Sequence, residues 1–272
     1  MRLLTILTIL LCLGSALSAD VMLFDRGLPI TNLNNGAGAN RSNVSWGDPG
    51  NQSFTGDNFI LPALPGDQYL VNTLRIWTAD GADPSFDFAS TYTSLTLYAQ
   101  PTTGSGSSVI QQGNFIGGTT LDNPNIKITP VTYADNSIYE GNSATYQLWE
   151  VDFTNLNWLV DPATVVNFGV FGATIDPTWF WVNHASNAAL SGSPQDGADG
   201  IFFDFAVGGS LLSPVLEDSN GNGWDKSSDI NVQILGSAVP EPTSIFLLGT
   251  AVLIVGSLAR KKYQGIVHTQ RT

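Results

Sequence analysis

Cysteine, histidine and positive charge are the scarce components of this chain, and each scarcity closes off a class of function. Its one cysteine, Cys12, lies in an apolar stretch near the start, so no disulfide framework can hold the fold. Of its two histidines only His184 stands away from the C-terminal tail, which excludes a two-histidine metalloprotease helix. Between Asp20 and Ala238 there are five basic residues (Arg26, Arg41, Arg75, Lys127, Lys226) against 22 acidic ones, a net of −17. No basic patch can form on such a surface, so nucleic acid is excluded as a partner. No serine sits in a Gly-x-Ser-x-Gly elbow, and a Ser-His-Asp hydrolase has no nucleophile context here. Gly117-Gly118 and Gly208-Gly209 lack the strand–loop–helix setting of a phosphate cradle and read as turns. Sustained helical periodicity is absent throughout residues 20–238.

The two ends of the chain are where its composition changes. Met1–Ala19 has a basic Arg2, the apolar run Leu3–Leu13 and small residues at Ala16, Ser18 and Ala19. That is a secretory signal peptide, cleaved after Ser18 or Ala19, and Cys12 leaves with it. At the other end, Val239-Pro240-Glu241-Pro242 precedes the apolar run Thr243–Ala259 and the basic cluster Arg260-Lys261-Lys262. Seventeen helical residues at about 1.5 Å each reach roughly 25 Å, the short end of a membrane span. Pro240 and Pro242 give that helix a hard start, and the basic cluster favours keeping its far end in the cytoplasm. Residues 263–272 form a short cytoplasmic tail.

This tripartite ending resembles the PEP-CTERM sorting signal of exported bacterial proteins. The resemblance covers only the C-terminal segment, with the signal peptide in keeping. It implies a translocon and an exosortase-type protease as partners during export. It also implies a precursor anchored in the inner membrane, then release to the cell surface or beyond. Processing would involve Val239, Pro240, Glu241, Pro242, Arg260, Lys261 and Lys262. Extracellular polysaccharide is the partner that such proteins suggest.

Between the two ends, apolar and polar residues alternate with period 2 in Tyr69–Trp77, Thr93–Tyr98, Gln147–Phe153, Val165–Phe171 and Ile230–Ile234. Such alternation marks half-buried antiparallel strands. Val21–Asp25, Val109–Gln112, Lys127–Tyr133, Trp179–Asn183 and Ile201–Val207 are further strand candidates. Leu28–Asn58 reads as a long polar loop rich in Asn and Gly. The expected fold is all-β: one antiparallel, jelly-roll-like β-sandwich over residues 20–238, followed by one transmembrane helix over 243–259.

Two stretches could carry chemistry. Asp218, Asn220, Asn222, Gly223 and Asp229 have the oxygen-ligand spacing of a calcium loop. Lys226 stands where a ligand or ligated water belongs, and the following residues read as strand. A polar hairpin loop is therefore the competing reading. In Asp176–His184, Trp179 and Trp181 would share one strand face. Exposed, they would form a platform for sugar rings, with Asp176 or Asn183 binding hydroxyls; buried, they are core. Glu150 and Asp152 share a strand face but read as solvated charge rather than a glycosidase pair. The expected function is a non-enzymatic surface or matrix protein. The alternatives are a carbohydrate-binding module and, behind it, a secreted hydrolase.

Overall fold

A computed structural model describes residues 20–29, 44–45, 53–63, 68–79, 87–100, 106–117, 120–131, 148–174, 183–184, 201–204, 215–218, 230–239 and 256. In chain order the first strands are β1 (Val21–Asp25), β2 (Val44–Ser45), β3 (Ser53–Ile60), β4 (Gln68–Ala79), β5 (Tyr92–Gln100), β6 (Ser108–Ile116) and β7 (Thr120–Leu121). They continue with β8 (Ile126–Val131), β9 (Leu148–Phe153), β10 (Trp158–Val160), β11 (Val165–Thr174), β12 (Asn183–His184), β13 (Ile201–Asp204), β14 (Val215–Asp218) and β15 (Val232–Val239). A four-residue helix, α1 (Phe88–Thr91), capped by Asp87, precedes β5.

The described residues are mostly β-strand, in two antiparallel sheets. In one, β1, β15, β4, β9 and β8 lie side by side. There β10 continues the line of β9 along β4, and β12 and β2 extend the sheet beyond β15. The other runs β14-β13-β3-β11-β5-β6-β7. Their inner faces share one core: Val71, Leu74, Ile76, Val151, Phe153, Val232 and Ile234 from the first sheet, and Phe59, Leu95, Leu97, Val166, Phe168 and Val170 from the second. Burying such side chains supplies roughly 1.5–3 kcal/mol each, so a chain without disulfides can stand on this core.

Two departures from the sequence reading have clear causes. Ser53–Ile60 is a strand of the second sheet, not the end of a loop. Its alternation is masked because Asp57 occupies a core-facing position opposite Phe168. In β4 the phase changes midway. Tyr69 and Val71 face the core, then Leu74 and Ile76, and Leu70 points the other way. The pairing with β15 skips Asn72, which bulges out of register. A one-residue bulge flips every side chain beyond it. The Asn72 carbonyl accepts a hydrogen bond from Leu156 N in the break between β9 and β10. Asn155 and Asn157 take left-handed conformations there, which Asn tolerates. Gly236 lies across from the bulge, where any Cβ would overlap the Leu70 carbonyl oxygen.

Both ends of the described domain leave from the same end of the fold, here called the base. Val239 closes β15 beside Gln68, the first residue of β4, and β1 opens two strands away. On the second sheet, β3 and β5 end at the base and β6 and β11 begin there. Tyr69 Oη donates to the Pro62 carbonyl across the two layers at 3.2 Å. No helix among the described residues is long and apolar enough to cross a membrane. The expected span 243–259 lies outside them apart from Gly256, which is helical.

Candidate functional site

Three groups of polar side chains can be built from the described residues, and they differ in how far their bonding capacity is used. The first is interior. Asp57 Oδ2 is 2.8 Å from Arg26 Nη1 and accepts from Ile230 N at 2.6 Å, while Oδ1 accepts from Asn58 N at 2.7 Å. Arg26 Nη2 donates to the Asn58 carbonyl at 2.8 Å, and its guanidinium lies 5.3 Å from the centre of the Phe24 ring. Both charged side chains are about 2–3% exposed, so this pair pins the first strand and the lead-in to the last strand onto β3. Removing one member of such a pair strands a buried charge. Its chemistry is structural.

The second group lies on the outer face of the first sheet. Arg75 Nε and Nη2 clamp Asp152 at 2.7 and 2.9 Å, and Nη2 is 3.2 Å from Glu150 Oε1. The two carboxylates that share a face of β9 are thus tied to one guanidinium. Two guanidinium nitrogens hold Asp152, and one of them also reaches Glu150.

The third is a cleft of about 290 Å³ at the base. Its walls come from the end of β5 (Ala99, Gln100), the start of β6 (Ser108, Ile110), β10 and the residue after it (Trp158–Asp161), and the start of β11 (Thr164, Val166). Trp158 is half-buried and meets Phe59 edge-on, with centroids 5.8 Å apart. Gln68 Nε2 donates to Asp161 Oδ1 at 2.7 Å, which fixes the carboxylate and leaves Oδ2 without a described partner. Pro162 and Ala163 make the tight turn that aims Asp161, with Ala163 in a left-handed conformation and its N–H bonded to the Leu61 carbonyl.

Of the sequence-predicted site residues, Val239 ends β15 at the base, Asp218 ends β14, and Asn183 opens β12. Trp179, Trp181, Asp176, Asn220, Asn222, Asp229, Pro240, Glu241, Pro242, Arg260, Lys261 and Lys262 lie outside the described residues. The structure therefore assembles neither the calcium loop nor the tryptophan platform among what it describes. Trp158 and Asp161 were not singled out by sequence. The signal available was the string Trp158-Leu159-Val160-Asp161-Pro162, an alternating strand running into a proline turn.

Burial pushes the hydroxyls of Tyr92 and Tyr98 above the ordinary tyrosine range, so both stay protonated. The Tyr92 ring fills the space above Gly172, which has no side chain to obstruct it. Asp122, exposed at the β6–β7 hairpin, is held below the usual carboxylate range by hydrogen bonds from the Asn114 side chain and backbone N–H.

No protein family, curated protein or solved structure matches this chain.

Proposed function

We propose that this is an exported, non-enzymatic bacterial surface or matrix protein, held at the inner membrane through residues 243–259 until an exosortase-type protease cuts near Pro240-Glu241-Pro242. The observation that carries this reading is where the exposed apolar side chains sit. Seven large ones are exposed among the described residues: Val21, Met22, Ile60, Val109, Ile116, Leu159 and Val165. Ile60, Leu159 and Val165 stand at the rim of the base, and Val21, Met22 and Val109 are among the first two residues of strands in its half of the fold. Only Ile116 belongs to the opposite end. Exposed apolar residues gathered on one side mark an interaction surface. Six of the seven lie in the half of the fold from which the chain leaves β15 at Val239 and enters the apolar run four residues later. A domain resting its base on the bilayer gives those side chains an apolar neighbour, and so short a tether leaves it little room to do otherwise.

The domain itself we read as a jelly-roll-like sandwich. In support, β1, β3, β4, β5, β6, β9, β11 and β15 fall in the orders β1-β15-β4-β9 and β3-β11-β5-β6. That interleaving of two Greek keys defines the fold. The translocon and processing protease act in transit, and extracellular polysaccharide is the partner after release. Calcium at Asp218, Asn220, Asn222 and Asp229 is a separate proposal. Calorimetric titration that gives no heat and leaves the melting temperature unchanged would remove it.

Fractionation of cells with and without the processing protease tests the route. The full chain should stay with the inner membrane when the protease is missing and appear outside as a shortened form when it is active. An intact chain that stays anchored despite active protease overturns the sorting reading.

A further inference from the structure

We infer that the basal cleft binds a single neutral sugar ring, with Trp158 and Asp161 as its principal contacts. Its volume of about 290 Å³ falls at the small end of ligand sites, roughly 300–1,000 Å³, and suits one ring rather than a chain. Its lining combines Ile110, Val166 and the half-buried Trp158 with Ser108, Asp161 and Thr164. A sugar presents the same combination, with apolar C–H faces and a rim of hydroxyls. Aromatic side chains meet those faces, and carboxylates and hydroxyls meet the rim.

Unused bonding capacity in the cleft points the same way. No described group accepts from the Trp158 indole N–H, and Asp161 Oδ2 is left over once Gln68 has bonded Oδ1. One donor and one strong acceptor, in a cleft that Ser108 also lines, match neighbouring hydroxyls that each donate and accept. No Lys, Arg or His lines the cleft, so an anionic ligand would meet a carboxylate and no counter-charge. The site stands on the cleft geometry alone and would survive failure of the anchoring proposal.

The test puts two forms on an array of neutral and charged glycans: the full chain in detergent, and the form released from the membrane, whose base neither bilayer nor detergent covers. Hits are then titrated as free monosaccharide glycosides by NMR. Binding of at least one neutral glycoside is expected, weakened at least about tenfold by Asp161→Asn, which turns the charged acceptor Oδ2 into a neutral amide donor, and by Trp158→Phe, which removes the indole donor. Trp158→Phe keeps a ring against Phe59, and Asp161→Asn keeps the bond from Gln68, so melting temperatures should stay near that of the parent. If Trp158→Phe fails to fold, Asp161→Asn decides alone. A silent array overturns the inference. So does sugar binding that neither substitution weakens, which would place it elsewhere. Stronger displacement by an alkylammonium ion than by any glycoside overturns the ligand class.

Discussion

The two ends of the β5–β6 hairpin carry similar polar side chains and use them in opposite ways. Away from the base, Asn114 donates twice to Asp122, Asn123 bonds the Gln112 carbonyl, and Asn155 bonds Asn125. Gln111 reaches from β6 to the Thr154 carbonyl and laces the two sheets together along their open side. Every one of these contacts is internal. At the base, Ser108, Trp158 and Asp161 surround a cleft, and part of their bonding capacity faces outward. Polar groups that satisfy one another hold a fold, whereas polar groups left over around a concavity are available to a ligand. Counting polar residues would not separate the two regions; following each donor and acceptor does.

Four carboxylate settings and one crowded glycine turn that contrast into measurements. The largest effect is expected at Asp57, where everything is internal and buried. Asp57→Ala should cost about 3–5 kcal/mol in denaturant unfolding, because Arg26 and the Ile230 N–H lose their acceptor together. A loss below about 1 kcal/mol would show that the pair does not pin the sheets. Next comes crowding on the backbone beside the bulge. Gly236→Ala should destabilise by about 1–3 kcal/mol, since its methyl must push the Leu70 carbonyl aside. Arg75→Ala, on the outer face, should cost at most about 1 kcal/mol, as partly exposed pairs contribute little.

The smallest effect is at Asp122, and its sign is set by the direction of its shift. Its carboxylate titrates below the ordinary value, so its bonds to Asn114 are complete above about pH 4 and are lost as pH falls through the depressed value. Acid should therefore lower the protection of Asn114 N against hydrogen exchange, taken relative to the unstructured rate at the same pH, and Asp122→Asn should make that protection less dependent on pH in this window. Acid-insensitive protection in the parent protein would contradict the assignment. Asp161→Asn, by contrast, should leave stability within about 0.5 kcal/mol, as for surface positions that hold nothing together.

How much of this could be read in the sequence follows from the same distinction. Strands that alternate cleanly, such as β9 with Val151 and Phe153 inward, were legible because one face is buried and the other wet. Strand β3 was not, because Asp57 occupies a position where the pattern demands an apolar residue, and its partner Arg26 is 31 residues away in sequence. The change of phase within β4, which puts Leu70 on the face opposite Leu74 and Ile76, was not legible, because a bulge at Asn72 leaves no compositional trace. The cleft was illegible for a related reason. It joins residues of β5, β6, β10 and β11 that only topology brings together. Trp158 looks like any strand tryptophan until Phe59 is found against its edge. The proposed sorting segment is the converse case, since the residues that carry the proposal are consecutive.

The claim that the base lies on the membrane can be put to one direct measurement. Cys12 is the one cysteine of the chain, so in a Cys12→Ser background a single introduced one can be labelled uniquely. An environment-sensitive fluorophore at Leu159→Cys or Ile60→Cys, in the anchored chain reconstituted into vesicles, should shift to the blue and be quenched by brominated lipid. The same label at Ile116→Cys should show neither response. Equal silence at all three positions, or quenching confined to Ile116→Cys, would contradict the account.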